Sequence, residues 1–288
     1  MFTSPPYALL RAKEYGNEPE HKYVQWFRPF AKQIYRILKP TGSLILNLGG
    51  AWKPGAPVRS LYQYQLLIDL CAPSKRRKEP PVFFMAQEFY WFNPAKLPGP
   101  VQWVNVERVR VKDSVEPIWW LSKTPNPKAT NRSVLKPYSK HMERLIKTQN
   151  YNKGPRPSGW VASKKWGKDN GGAIPANFLT EDGLSTLFNV LVESNTSSND
   201  PMRRALRKEG IDAHPAIFPL SLPEFFIHLT TDEGDVVVDP FCGSNTTGYV
   251  AESLNRQWLS IDVERGYLDA SRARWANDYE GVFREVGE

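Results

Sequence analysis

The 288-residue chain has almost no cysteine: Cys71 and Cys242 are its two, far apart and outside any C-x-x-C or Cys/His spacing. This excludes a disulfide framework and offers no zinc site. Long apolar runs are also missing. No stretch is long enough to span a bilayer, and the first residues, MFTSPPYALL, do not follow the basic-then-apolar course of a secretory signal. The expectation is a soluble, cytoplasmic protein with no membrane partner. Acidic residues are the minority, 30 against 38 basic ones, and Lys75, Arg76, Arg77 and Lys78 stand together. A net charge of +8 suits a polyanionic partner without requiring one, since a modest positive balance is common.

Aromatic side chains and proline are abundant: ten Trp, twelve Tyr, fourteen Phe and twenty-five Pro. That exceeds what a minimal α/β enzyme needs and predicts long ordered loops, in which some rings stack on a ligand and most simply pack. Val24, Phe27, Ile34, Ile37 and Leu38 recur at helical spacing between Tyr23 and Leu38, and Lys39-Pro40-Thr41-Gly42 is the stop signal. Ser43 to Leu48 (SLILNL), closed by Gly49-Gly50, is a short apolar run of the kind buried in a parallel sheet. A helix over Ser60–Leu70 and strands over Val82–Phe92 and Pro117–Ser122 continue the pattern, with Trp119 and Trp120 as core residues.

From Lys123 to Glu209 the texture turns to proline, glycine, asparagine and lysine, the signature of an inserted loop-rich region in which Trp160, Trp166, Ile174 and Phe178 supply some order. Regular structure returns with a helix at Leu222–Leu229, a strand at Asp235–Asp239, a helix at Thr246–Leu254 and a strand at Trp258–Ile261. Alternation of this kind predicts an α/β fold with a doubly wound sheet. The chain divides into 1–122, 123–209 and 210–288.

Two motifs carry chemistry. In residues 236–264, VVVDPFCGSNTTGYVAESLNRQWLSIDVE, a buried strand runs into a turn that feeds a helix, and the next strand ends on an acid, Asp262. Gly243 lets a ligand approach the backbone, the helix start at Asn245 to Thr247 offers free amides, and Asp262 suits a pair of ribose hydroxyls. The turn is not G-x-G-x-x-G, and an acid at its start, Asp239, suits a ligand with a cationic amino-acid portion better than a pyrophosphate. S-adenosylmethionine is favoured over a dinucleotide. The second motif is Ser4-Pro5-Pro6-Tyr7. Consecutive prolines fix the backbone and present carbonyls beside an aromatic ring. A hydroxyl and a carbonyl that accept the two hydrogens of a base amino group favour a tetrahedral, nucleophilic nitrogen, and Tyr7 would stack on a flipped base.

Ser-Pro-Pro-Tyr followed much later by Asp-Pro-Phe-x-Gly-Ser resembles the amino-methyltransferases of restriction-modification systems, in the permuted order that puts the catalytic motif before the cofactor motif. FYWFNPAKLP at 89–98, RPSG at 156–159, KDNGGAIPANFL at 168–179 and HPAIFPLSLPEFF at 214–226 resemble the cytosine-N4 branch. The resemblance implies a Rossmann-like methyltransferase sheet with an inserted target-recognition region, S-adenosylmethionine as cofactor, double-stranded DNA as substrate and a cognate restriction endonuclease as functional partner. It implies that Ser4 and the Pro5 carbonyl accept the amino hydrogens, with Pro6 completing the loop and Tyr7 on the base. It places Asp239, Phe241, Gly243, Ser244 and Asn245 in the cofactor loop, Asp262 on the ribose, and His214, Phe218 and Pro219 on the methionine side.

Ser at the first motif position favours cytosine N4, with adenine N6 as the alternative and an inactive DNA-binding remnant as another. Trp91 is expected to edge the base pocket. Arg132, Lys136, Arg156, Lys164, Lys165 and Lys168 are the candidates for DNA contact. Met1, Phe2 and Thr3 alone precede Ser4, where the family has a full apolar strand. The expectation is a chain shortened at its start, with an open slot in the sheet.

Overall fold

The structure, a computed structural model, describes residues 1–8, 16–72, 83–94, 96–150, 157, 159, 167–180 and 218–275. Helix α1 (Glu20–Ile37) turns Tyr23, Phe27, Ala31 and Ile34 inward on one stripe. Pro29 lies within it. The helix continues because Gln25, whose carbonyl loses its donor, is exposed like Pro29 itself and can bond water. It ends where Pro40 approaches, with the Leu38 amide closing on the Ile34 carbonyl at 3.0 Å.

Strand β2 (Ser43–Asn47) is buried throughout. Its pleat sends Leu44 and Leu46 to one side and Ile45 to the other. Helix α2 (Tyr62–Cys71), strand β3 (Phe84–Phe92) and strand β4 (Val115–Ser122) follow. With β1 (Phe2–Thr3) and β5 (Phe178–Thr180) they make a five-stranded sheet ordered β1-β2-β4-β3-β5. The β1/β2 and β3/β5 pairs are parallel, and β4 is antiparallel to both its neighbours. Phe2 and Thr3 lie opposite Ile45 and Leu46, so the slot expected to stand open before Ser4 holds these two residues in register.

One face of the sheet is covered by α1 and α2, where Tyr23, Phe27, Leu44, Leu66 and Trp119 are fully buried. After helix α3 (Lys140–Thr148), helix α4 (Ser221–Thr230) covers the other face, packing Leu222, Phe225 and Phe226 on Phe2, Ile45, Phe89 and Ile118. Each such side chain contributes about 1.5–3 kcal/mol by leaving water. Trp119 and Trp120 are core residues, as expected. Trp91, expected beside a base pocket, is instead 5% exposed within the α4-side core, because the pleat of β3 turns it inward with Phe89.

Strand β6 (Val236–Asp239), helix α5 (Thr246–Ser253), strand β7 (Gln257–Ser260) and helix α6 (Arg265–Ser271) close the described chain. β6 and β7 pair in parallel, and β6 lies beside β1. β2 flanks this junction on one side and β7 on the other, an arrangement like the switch point of doubly wound sheets.

The region read as loop-rich is more integrated than its composition suggested. β5 lies within it and extends the sheet, while the Thr130 amide bonds the Leu229 carbonyl at 2.9 Å and the Ser133 hydroxyl bonds the His228 carbonyl at 2.7 Å. Lys128 adds ion pairs to Asp232 and Asp235.

Candidate active site

The loops that follow β1 and β6 meet at the junction. Thr3, the last residue of β1, donates its hydroxyl to Asp239 Oδ1 at 2.6 Å, and Asp239 is the last residue of β6. The Asp239 carboxylate, 1% exposed, also accepts the Phe241 amide (3.1 Å) and the Thr247 hydroxyl (2.7 Å). Burial pushes its pKa up to about 6 against the pull of these donors. These bonds fasten the two loops together.

The remainder of the β6 loop is equally self-contained. Asn245 adopts a left-handed conformation (φ 52°) as the N-cap of α5, accepting the Gly248 amide at 3.1 Å and the Ser260 hydroxyl at 2.6 Å on its side-chain oxygen. Ser244 is gripped by Arg274, which bonds its carbonyl at 2.5 Å and reaches the Thr246 hydroxyl at 2.9 Å. Phe241 rests among Trp26, Phe27 and Phe30 of α1, with centroids 5.9, 6.5 and 5.0 Å away. Asp262 remains half-buried at the end of β7, where Oδ2 accepts the Gly243 amide (2.8 Å) and Oδ1 the Glu264 amide (3.0 Å). Each oxygen keeps capacity for a ligand hydroxyl. Gly243 has φ 48°, a turn conformation that glycine adopts without strain. The Cys242 thiol is buried, and its pKa is driven far up by desolvation, so it is no nucleophile.

On the β1 side, Pro6 gives its carbonyl to the Tyr23 hydroxyl at 2.6 Å. No described residue donates to the Pro5 carbonyl. The Tyr7 ring lies against Gly49, where an added Cβ would come within 2.3 Å of its Cε2. The Tyr7 hydroxyl is 2.6 Å from the Asn47 side-chain amide and 2.7 Å from Glu116 Oε2, and burial beside the Glu116 charge holds its pKa well above the phenol range. Ser4 Oγ lies 3.2 Å from the same Asn47 amide and 3.4 Å from Tyr7 Oη. Lys96 pairs with the other Glu116 oxygen at 2.8 Å.

Of the residues singled out in the sequence, Ser4, Pro5, Pro6 and Tyr7 lie in the loop after β1, Asp239, Phe241, Gly243, Ser244 and Asn245 lie at the end of β6 and in the loop after it, and Asp262, after β7, joins them through the Gly243 amide. Asp239 and Asn245 turn inward as loop supports. Phe218 packs edge-on against Phe2 (5.2 Å) with Pro219 buried beside it, close to the base of β1. His214 lies outside the described residues, as do Lys75 to Lys78, Trp160, Trp166, Arg156, Lys164 and Lys165. Thr3, Asn47, Lys96, Glu116 and Arg274 were missed. Of these, Asn47 had a signal: a lone amide at the end of an apolar strand, just before two glycines.

Among the described residues no His, Cys, Asp and Glu cluster could hold a metal ion, and no helix is long and apolar enough to cross a membrane.

Comparison with known proteins identifies the family. Residues 1–273 match the family of N6 and N4 methyltransferases described as DNA methylase. The chain is 45% identical to the type II methyltransferase M.PvuII of Proteus hauseri over 280 residues, 96% of this chain and 78% of the relative. It is 25% identical to the type II methyltransferase M.BglII of Bacillus subtilis over 274 residues, 93% of this chain and 61% of that one. Among solved structures, the PvuII DNA methyltransferase (cytosine-N4-specific) superposes with a TM-score of 0.69 at 39% identity, covering 98% of this chain and 79% of the other. With its two motif loops fastened at the sheet junction and the family match running through both, the chain belongs to the DNA methylases.

Proposed function

We propose that the chain transfers a methyl group from S-adenosylmethionine to the exocyclic N4 of cytosine in double-stranded DNA. The observation that carries this reading is the Thr3–Asp239 bond, which sets an acceptor pair, Ser4 Oγ and the Pro5 carbonyl, directly beside the Asp239–Asp262 loop. Two acceptors and an aromatic ring suit an amino group on a base, which brings two donors and a flat face. The residues of the second loop fit the cofactor: Asp262 is a half-buried carboxylate with accepting capacity at a strand end, and Gly243 adds no side chain to the space before it. When bound, S-adenosylmethionine supplies a methyl group already activated for attack.

The chain's own residues position the base. Ser4 and the Pro5 carbonyl accept the amino hydrogens, and the Tyr7 ring, backed by Gly49, offers its outer side to a base flipped from the duplex. Asp262 would hold the ribose of the cofactor with Phe241 and Gly243 beside it, and Phe218 and Pro219 would border its methionine end; His214, given the same role by the resemblance, lies outside the described residues. Orientation of two bound reactants provides most of the acceleration, and the proton shed by the methylated nitrogen passes to solvent or to Ser4, so no general base of matched pKa is required.

Residues 123–209 serve as the target-recognition region between the catalytic (1–122) and cofactor-binding (210–288) parts. Arg132, Lys136 and Lys168 supply charge for DNA in its described portion. The 45% identity to a type II methyltransferase supports a cytoplasmic restriction-modification setting, with a restriction endonuclease reading the same site.

The test is transfer of labelled methyl from S-adenosylmethionine to duplex DNA, followed by nucleoside analysis. Label is expected in N4-methylcytosine, with a loss on the order of 10²-fold or more in Ser4→Ala, since one of two orienting acceptors is removed. Label in N6-methyladenine, or none, overturns the proposal.

A further inference from the structure

The hydroxyl and amide cluster behind Ser4 contains more polar atoms than a single proton arrangement can satisfy at random. Asn47 is 1% exposed, and with its side-chain oxygen facing Tyr7 and Ser4 its Nδ2 is a buried donor without a partner. Tyr7 has one hydroxyl proton and two close neighbours, Asn47 at 2.6 Å and Glu116 at 2.7 Å. Lys96, 2.8 Å from the far oxygen, decides between them, because a carboxylate in an ion pair can only accept. The Tyr7 proton therefore goes to Glu116. Asn47 must then present its Nδ2 to Tyr7 Oη and Ser4 Oγ, which satisfies the orphaned donor and moves Oδ1, the less costly atom to leave unpaired, into the partnerless place.

We propose that Glu116, held by Lys96, is a positioning residue for methyl transfer: through Tyr7 and Asn47 it makes Ser4 an acceptor toward the substrate. This rests on the reading of Ser4 and Tyr7 given above. The chain of consequences is short. With Asn47 donating to Ser4 Oγ, the Ser4 proton turns inward to Tyr7 Oη, 3.4 Å away. The remaining lone pair of Ser4 faces out. A base amino group, which has only hydrogens to offer, meets an oxygen ready to accept them. Glu116 is itself 6% exposed and lies behind Tyr7, so it acts on the base only through these side chains.

The experiment is a double-mutant cycle on methyl transfer to duplex DNA with Glu116→Gln, Tyr7→Phe and the pair, using the full chain. Removing the anion is expected to lower kcat on the order of 10²-fold through misorientation, with KM for S-adenosylmethionine and the thermal midpoint unchanged. Because Glu116 acts through the Tyr7 hydroxyl, adding Glu116→Gln to Tyr7→Phe is expected to cost nothing further. Additive losses, or a fall in cofactor affinity matching the fall in rate, overturn the proposal.

Lys96→Gln, at a partly exposed position, gives the same cycle should Glu116→Gln not fold, and independence of Lys96→Gln and Tyr7→Phe overturns the proposal equally. A wild-type chain that transfers no methyl group to cytosine N4 overturns the parent reading instead, which the cycle's own wild-type arm reveals.

Discussion

The loops after β1 and β6 sit side by side at one sheet junction, yet they are built by opposite means. In the β6 loop, Asp239, Asn245 and Asp262 hold amides or hydroxyls within about twenty positions of themselves, Thr3 and Arg274 being the outside ties. The β1 loop makes its ties far away: Pro6 to Tyr23, and Tyr7 to Asn47 and Glu116, 40 and 109 positions along the chain. A loop that satisfies itself keeps its shape wherever its strand goes. A loop held from behind keeps its shape only when the rest of the sheet is in place, and in return its outer acceptors remain open to a substrate.

The largest effect that separates the two is expected at Asp239. Its folded-state pKa of about 6 lies above the ordinary carboxyl value of 3.8 because burial disfavours the charge. The folded chain therefore keeps a proton that the unfolded chain releases, and stability falls as pH climbs from 4 through 6. Asp239→Asn cannot ionise, so relative to wild type it should gain about 3 kcal/mol across that window. Urea unfolding at pH 4 and pH 7 checks this. An unchanged difference would mean that the Thr3, Phe241 and Thr247 donors hold the carboxylate ionised throughout.

Gly49→Ala should damage the β1 loop and spare the other. The new Cβ would lie 2.3 Å from Tyr7 Cε2, so the ring must move. A displaced ring misplaces Ser4 and the base together, and a kcat loss on the order of 10²-fold is expected while S-adenosylmethionine still binds as in wild type. Equal loss of rate and of cofactor affinity would show that the two loops respond as one body.

The same contrast explains what could be read from the residues alone. α1, β2, β4, α4, β6, α5 and β7 follow from periodicity, with boundaries within a few residues of those observed. The β6 loop was legible because its partners are local and its motif is contiguous. Glu116 was not, since it opens an apolar strand and its meaning depends on a tyrosine 109 positions earlier. β5 was hidden for a related reason: Phe178–Thr180 is a short edge strand in a proline- and glycine-rich stretch, and pairing with β3 rather than its own propensity makes it a strand. Trp91 was misread because alternation along β3 decides which face an aromatic takes, and the motif around it does not.

The smallest effect tests the rear support of the β1 loop directly. Tyr23 is fully buried on α1, and its hydroxyl reaches the Pro6 carbonyl at 2.6 Å. Tyr23→Phe keeps the ring against Tyr62 and Trp26 and removes that one bond. The two prolines fix φ at positions 5 and 6 and Tyr7 is held by Asn47 and Glu116, so the abandoned carbonyl has little freedom to turn toward another partner. A loss of about 1 kcal/mol in unfolding free energy is expected. The rate should fall by more than the stability does, since Pro6 stands between the two groups that face the base. Calorimetric unfolding read beside methyl-transfer kinetics separates the two quantities. A variant that is less stable but transfers at the wild-type rate would show that the prolines alone set the loop, and that α1 merely covers it.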